Sequence, residues 1–271
     1  MKSARLSRPE KGSRIYENPR LYDLAFSFRD IAEEADGLLS LAHVHGVREP
    51  KRVLELACGP GHHLREFAKR GIAAVGIDLN EAMLAYAKRL AKADDVGLEL
   101  RRGDMRSFRL RRRVDLAMCL FDSFAHCTSD DDGIAALRSA GGALRRGGLF
   151  MLELTHPADY FDPHHGRTLG KWTQRHPGVV VAARYDTSAH DAVAETYRAT
   201  LTIDATYADG RAPRKVVSKQ LHRMWLRGSV ANIVARSGMF DIVGWYGDLD
   251  ERVPFTMKMD SWRMVVVMRR R

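Results

Sequence analysis

The chain has 271 residues, 45% of them hydrophobic and 29% charged, which is enough apolar material for one large core and the polarity of an ordinary globular protein. No apolar run approaches the roughly 20 residues that span a bilayer, the basic start Met1-Lys2-Ser3-Ala4-Arg5 lacks the apolar stretch of a secretory signal, and Cys58, Cys119 and Cys127 form neither a disulfide framework nor a CxxC zinc pattern, so a reducing, cytoplasmic setting is expected. The formal net charge of +10 sits largely between Arg101 and Arg113 and in Arg269-Arg270-Arg271; with no helix-turn-helix, zinc-finger or RNP signature beside it, it reads as a solvated arginine-rich surface, and nucleic acid is not an expected partner.

In chain order, residues 1 to about 15 are polar and basic and are expected to form a mobile arm. From Tyr16 to His45, Leu21, Leu24, Ala25, Phe28, Ile31, Ala35, Leu38 and Leu39 recur at helical steps, and Pro19 suits the first turn of one long helix. Strands are then predicted at 52–57, 73–78, 98–101, 114–119 and 148–154. Helices are predicted between them at 62–70, 80–93 and 129–145, with Asn80 capping the second and Gly71 stopping the first. Such alternation marks βαβ units and a parallel sheet. After Thr155 the rhythm changes. Runs at 179–185, 194–207 and 215–225 carry β-branched and aromatic residues, with Asp209-Gly210 as a hairpin turn, and read as an antiparallel insertion at about 160–226 lying over the sheet. A helix at 228–237 ended by Gly238 and strands near 240–246 and 262–268 close the chain. The expected fold is α/β: a doubly wound, seven-stranded, mostly parallel sheet of Rossmann-like type. An N-terminal arm and helical lid occupy 1–45 and the main domain 46–271.

In such a sheet, ligands collect at the carboxyl ends of the strands where the chain order reverses. The loop Glu55-Leu56-Ala57-Cys58-Gly59-Pro60-Gly61 follows the first strand, and Gly59 and Gly61 let backbone approach a ligand closely. The helix after it presents N-terminal amides that favour a carboxylate. Asp78 ends the second strand, where a carboxylate can accept both hydroxyls of a ribose. Asp104, in Gly103-Asp104-Met105 past the third strand, can accept from an adenine amino group, with Met105 placed to pack on its face.

The stretch from Tyr16 to Pro157, and most strongly from Val53 to Ala87, resembles the class I S-adenosylmethionine-dependent methyltransferases, of the small-molecule type. Val53 to Gly61 is similar to their first motif and Val75 to Leu84 to their second. The resemblance implies S-adenosyl-L-methionine as cofactor, with Glu55, Ala57 and Gly59 lining its methionine moiety. It implies Asp78 on the ribose, Leu79 and Met83 near the adenosine, Asp104 and Met105 on the adenine, and Leu120 at the methionine end after the fourth strand. Tyr16, Tyr22 and Phe26 fall in a segment that resembles the family's cofactor-covering lid. The family usually has glycine where this chain has Ala57, which an extended backbone would tolerate. A nicotinamide dinucleotide enzyme would carry a third glycine where this chain continues His62-His63-Leu64, and has no use for the Gly-Asp-Met.

Transfer of a methyl group needs an aligned acceptor and, where required, a base. His126 and His156 are the candidate bases, with Phe121, Asp122 and Phe124 beside the first; Trp172, Tyr185, Arg223, Trp225 and Tyr246 could shape an aromatic or acidic pocket but are more often sheet core, and none is read as catalytic. The loop after the fourth strand is Leu120-Phe121-Asp122-Ser123, not the Asn-Pro-Pro-Tyr of nucleic-acid amino-methylating enzymes, and no Pro-Cys nucleophile is present. His43/His45, His62-His63 and His164-His165 lack the partners of a metal site, and none is expected. The expected function is methylation of an oxygen or nitrogen on a small molecule, with no membrane partner and a homodimer among the arrangements allowed. RNA or protein methylation, and a non-catalytic S-adenosylmethionine-binding role, are the alternatives.

Overall fold

The computed structural model describes residues 15–161 and 170–271; the expected arm up to Arg14 and the pair His164-His165 lie outside the described residues. The N-terminal segment is two helices, α1 (Pro19–Ala25) and α2 (Ile31–Val44), where the sequence reading expected one. Asp30 is the reason. Its side chain accepts the Glu33 N–H at 3.0 Å and so starts a new helix instead of continuing the old. The pair Asp30 and Glu33 has the spacing of a capping box, a signal the apolar period hid. Pro19 does open α1.

The parallel part follows as β1 (Arg52–Leu56), α3 (His62–Lys69), β2 (Ala73–Asp78), α4 (Glu81–Ala93), β3 (Leu98–Arg102), β4 (Val114–Cys119), α5 (Asp130–Ala143) and β5 (Leu144–Thr155). Asn80 caps α4 by accepting the Met83 N–H at 3.0 Å, as expected. Next come α6 (Ala158–Phe161) and four strands, β6 (Lys171–His176), β7 (Val179–Asp191), β8 (Thr196–Tyr207) and β9 (Arg214–Arg223). The chain ends with α7 (Arg227–Ser237), closed by a left-handed Gly238, then β10 (Phe240–Tyr246) and β11 (Arg263–Arg270).

The main sheet has seven strands in the order β10-β11-β5-β4-β1-β2-β3, with β11 antiparallel to both its neighbours. β1 pairs with β2 on one side and β4 on the other, so the chain order reverses there and a crevice opens beyond the carboxyl ends of β1 and β4. One face of the sheet is covered by α2, whose Ala35, Leu38, Leu41 and Ala42 pack with Val53, Leu116 and Val265; the other is covered by α5 and α7 around Trp225 and Phe150. β6 to β9 form a separate antiparallel sheet. Its apolar face packs on α1, joining Val181, Ile203 and Val216 to Ile15, Leu21 and Ala25, and Trp172 Nε1 donates to the Ala25 carbonyl at 2.6 Å. β6 was not foreseen because none of its residues is buried, so it carries no period-two apolar pattern.

Candidate functional site

Beyond β1 the chain turns through Ala57, Cys58, Gly59 and Gly61. Gly59 and Gly61 have φ of +50° and +69°, which their missing Cβ atoms allow. Ala57 has φ of +52°, so the expectation of an extended backbone there is corrected: the turn out of β1 begins one residue before the glycines. A left-handed alanine costs about 1 kcal/mol. The strain is held by anchors on either side, since Cys58 N–H donates to the Ile77 carbonyl at 3.1 Å and Gly59 N–H to Asp78 Oδ2 at 2.8 Å. Ala57→Gly is expected to leave thermal stability equal or slightly higher, by at most about 1 kcal/mol once the flexibility of glycine in the unfolded chain is subtracted. A clear drop in melting temperature would show that the Ala57 methyl is needed for packing.

Asp78 is the hub of this loop. Its second oxygen accepts the Asn80 N–H at 2.8 Å, so one carboxylate fixes both the turn after β1 and the start of α4. Burial outweighs these backbone hydrogen bonds and moves its carboxyl above the usual range. Each oxygen retains a lone pair, as a ribose contact requires. α3 begins at Gly61 with no side-chain cap, leaving first-turn N–H groups directed at the loop.

A cavity of about 240 Å³ lies here, lined by Tyr22, Phe26, Glu55, Gly59, Leu120 and Phe121, with Ala57 also on its wall. Tyr22 reaches it from α1. Glu55 is 5% exposed; its Oε1 lies 3.2 Å from His63 Nδ1, and its Oε2 has no hydrogen-bond partner. An orphaned carboxylate oxygen on a cavity wall suits a cationic amine, which is what the ammonium of a methionine moiety offers. On this ground the residues fit the expected cofactor. Behind Glu55, His63 Nε2 meets Glu34 Oε2 at 2.8 Å, Glu34 is paired with Arg29, and the Arg29 guanidinium stacks 4.2 Å over Phe121. Burial alone would push the His63 imidazole down, but Glu55 and Glu34 override it and raise it to about 9. Sequence reading missed this network.

On the adenosine side the expected residues are less uniform. Leu79 is 53% exposed at the rim, whereas Met83 is buried at 1% inside the first turn of α4. Asp104 is already engaged: Oδ1 accepts the Arg106 N–H at 2.9 Å and Oδ2 accepts Arg106 Nη2 at 2.7 Å, while Nη1 of the same arginine reaches Asp132. Burial would raise the Asp104 carboxyl, and Arg106 overrides it and holds it low. An adenine amino group would share this carboxylate with Arg106. Met105 leans on the core, its Sδ 3.8 Å from Cys127 Sγ.

Past β4, Phe121 and Asp122 both take left-handed backbone, with φ of +54° and +56°. Two successive non-glycine residues in this region store about 1–3 kcal/mol each and persist only where neighbours impose them. Phe121 N–H donates to Glu153 Oε2 and Thr155 N–H to Asp122 Oδ1, both at 3.0 Å, and Glu153 is held by Arg263 at 2.8 Å. Burial pushes the Asp122 carboxyl up to about 7, with Glu153 adding to it. His126 follows in a short 3-10 turn. Its Nε2 is 3.3 Å from the Tyr16 hydroxyl, which donates to Gln220 Oε1 at 3.4 Å, and the His222 ring stands edge-on at 4.6 Å. Burial lowers His126 to about 4, so it is neutral at physiological pH. His156 is placed differently. Its Nε2 donates to the Thr256 carbonyl at 3.0 Å and its Nδ1 accepts the Ala158 N–H at 3.1 Å. Both ring nitrogens serve the backbone, which corrects the expectation that His156 presents a base. Of the two histidines, His126 alone stands with Tyr16 beneath the insertion.

His62 and His45 also have local partners: His62 Nε2 meets Asp23 Oδ1 at 2.6 Å and His45 Nε2 meets the Tyr246 hydroxyl at 2.8 Å. Among the described residues no helix is long and apolar enough to cross a membrane.

Comparison with known proteins agrees with this architecture. Residues 53–148 match the family model described as methyltransferase domain. A dTDP-3-amino-3,4,6-trideoxy-alpha-D-glucopyranose N,N-dimethyltransferase of Streptomyces venezuelae is 35% identical over 136 residues, 49% of this chain and 55% of that protein. A dTDP-3-amino-3,6-dideoxy-alpha-D-glucopyranose N,N-dimethyltransferase of Streptomyces fradiae is 34% identical over 139 residues, 51% and 52% of the two chains. The chain thus spans about half the length of the curated relatives it matches. Among solved structures, DesVI of Streptomyces venezuelae superposes with a TM-score of 0.78 at 22% identity, covering 94% of this chain and 98% of that one. The sugar N-methyltransferase KedS8 from a Streptoalloteichus species does so with a TM-score of 0.72 at 21% identity, covering 100% and 98%. The resemblance read from the motifs agrees with this: residues 53–148 match a methyltransferase domain, and the chain shares the fold of these methyltransferase structures.

Proposed function

We propose that this chain is an S-adenosylmethionine-dependent methyltransferase acting on a nitrogen of a small molecule, with a nucleotide-linked amino sugar as the acceptor class. The observation that carries the cofactor reading is the cavity lined by Glu55, whose Oε2 has no hydrogen-bond partner, and by the Gly59 turn, which the Asp78 carboxylate braces through the Gly59 amide. The acceptor class is drawn from the relatives, which are N-methyltransferases of amino sugars by name. Free nucleic acid has no part in this reading; a homodimer and a cytoplasmic setting are compatible with it.

Glu55 would hold the methionine ammonium, the Gly61 end of α3 its carboxylate, Asp78 the ribose, and Tyr22 and Phe26 would close over it. When bound there, S-adenosylmethionine supplies a methyl group on a sulfonium centre, ready for in-line displacement. The protein's task is then alignment and proton handling. Tyr16 fixes the His126 ring from α1's side, and His126, being neutral, can contact an acceptor without repelling an amine. The lid aromatics exclude water from this end of the cavity.

Calorimetry should show S-adenosylmethionine and S-adenosylhomocysteine binding, and mass spectrometry should show methyl groups added to dTDP-amino sugars but not to their hydroxyl analogues. Binding of neither cofactor form would overturn the whole reading. Binding without transfer across a broad acceptor screen would favour a non-catalytic role, and salt-sensitive RNA binding with RNA methylation would favour the other alternative.

A further inference from the structure

We propose that Asp122 holds the acceptor's amino group and takes its proton, in a subsite faced by Tyr160, Tyr185 and Tyr197. The inference rests on the nitrogen reading above. Its starting point is backbone geometry: Phe121 and Asp122 are both left-handed, and the anchors that impose this, Glu153 on the Phe121 amide and Thr155 on Asp122 Oδ1, come from the neighbouring strand β5. Strain of this kind, locked from a second element, gathers where a side chain must be aimed. The aim is informative. Leu120, Phe121 and Ser123 line the cofactor cavity, so Asp122 sits in the same turn yet faces away from it, toward the antiparallel sheet. There the Tyr197 hydroxyl is in hydrogen-bonding reach of Asp122 and of Tyr185, and the Tyr160 ring lies 5.6 Å from that of Tyr197. Asp122 is partly exposed, so it is not sealed from a ligand. A carboxylate among phenol rings recognises an amine by charge and hydrogen bond on one side and by ring faces on the others.

The surroundings of Asp122 support proton uptake. His222 Nε2 lies 3.1 Å from Gln220 Oε1 and its Nδ1 3.4 Å from the Tyr197 hydroxyl, which holds the Tyr197 ring beside Asp122. The Tyr197 hydroxyl favours the carboxylate form of Asp122, the form that can receive a proton. An ammonium acceptor gives its proton to the Asp122 carboxylate. The freed nitrogen lone pair forms the N–C bond to the methyl group as the C–S bond breaks with its electrons staying on sulfur, and the methylated nitrogen carries the positive charge. His126 is the weaker candidate for this step, because burial has moved it far below the working pH.

Among the described residues, the ionisable groups facing Asp122 are Cys119, Glu153, Tyr16, Tyr160, Tyr185 and Tyr197. Glu153 is paired with Arg263 at 2.8 Å, and burial moves the thiol and the phenols upward, away from the range near 7 to which Asp122 is pushed. Asp122→Asn keeps the size and suits left-handed backbone. It should lower kcat about 100-fold, leave S-adenosylhomocysteine affinity within threefold, and abolish the acidic limb near pH 7 of the wild-type rate profile. Tyr197→Phe, a variant that leaves the carboxylate in place, should move the acidic limb without removing it. Amine methylation by Asp122→Asn at near wild-type rate with the limb intact would overturn this inference and leave the nitrogen reading standing. Methylation confined to hydroxyl acceptors would overturn both.

Discussion

Asp78→Ala is expected to weaken S-adenosylhomocysteine binding by two to three orders of magnitude, with turnover falling below detection at ordinary cofactor concentrations. Two effects add. The ribose contact is lost, and charge-assisted hydrogen bonds are worth about 1.5–3 kcal/mol each, which is about tenfold to a hundredfold per bond. The loop also loses its internal brace, because the Gly59 and Asn80 amides, each 2.8 Å from this carboxylate, are left without an acceptor. Asp78→Asn separates the two effects: one amide oxygen can still serve a backbone N–H, but no group can serve both, so an intermediate loss is expected. Calorimetric affinity for the alanine variant within fivefold of wild type would mean that the ribose is held elsewhere. Asp104→Ala should do less by the same measurement, because its carboxylate is spent mainly on Arg106.

His63→Leu is expected to cost about 3–5 kcal/mol of stability, since it removes one partner from a buried ionic set and leaves carboxylates behind. His63 stands between Glu34 and Glu55 with 3% of its surface exposed. The pH dependence identifies the mechanism. The imidazole is raised from 6.5 unfolded to about 9 folded, so its contribution is complete below pH 6.5 and lost as pH rises through 9. Glu34 would be raised by burial, but His63 and Arg29 bring it from 4.5 down to about 2, so its contribution is complete above pH 4.5 and lost as pH falls through 2. Wild type should therefore hold a plateau between pH 4.5 and 6.5, and the gap in melting temperature between wild type and His63→Leu should shrink from pH 6.5 to 9. A gap constant across that interval would mean that His63 contributes packing and not charge. Because Glu55 is one of its partners, the variant should also bind S-adenosylmethionine more weakly.

The parts of this fold legible in the sequence were those fixed by local rules. Apolar runs of five or six residues gave β1, β2 and β4, Asn80 and Gly238 gave helix ends, and Asp209-Gly210 gave the β8–β9 hairpin. Asp78 and the glycine turn were readable because their roles follow from position at a strand end. What escaped was built from contacts distant along the chain. Arg29, Glu34, His63, Glu153 and Arg263 form one buried ionic set, yet only Arg29 and Glu34 are near in sequence. His63 therefore looked like half of a histidine doublet. Gln220 and His222 lie on an insertion strand whose alternation suggested core alone, and only the docking of β9 over His126 gives them a role. His156 misled for the opposite reason: its place after β5 is that of a site residue, but the backbone at Ala158 and Thr256 claims both its nitrogens.

The hydrogen bond from Trp172 to the last turn of α1 has a kinetic consequence. In the proposed reading, the cover over the cofactor and the roof over the acceptor would be a single slab, because they share the core of Ile15, Leu21, Val181 and Ile203. If the slab must tilt for the spent cofactor to leave, it disturbs the acceptor's ceiling at the same moment. An enzyme adding two methyl groups in succession would then have to release its half-finished product between rounds, to be caught again, instead of keeping it in place while the donor is exchanged.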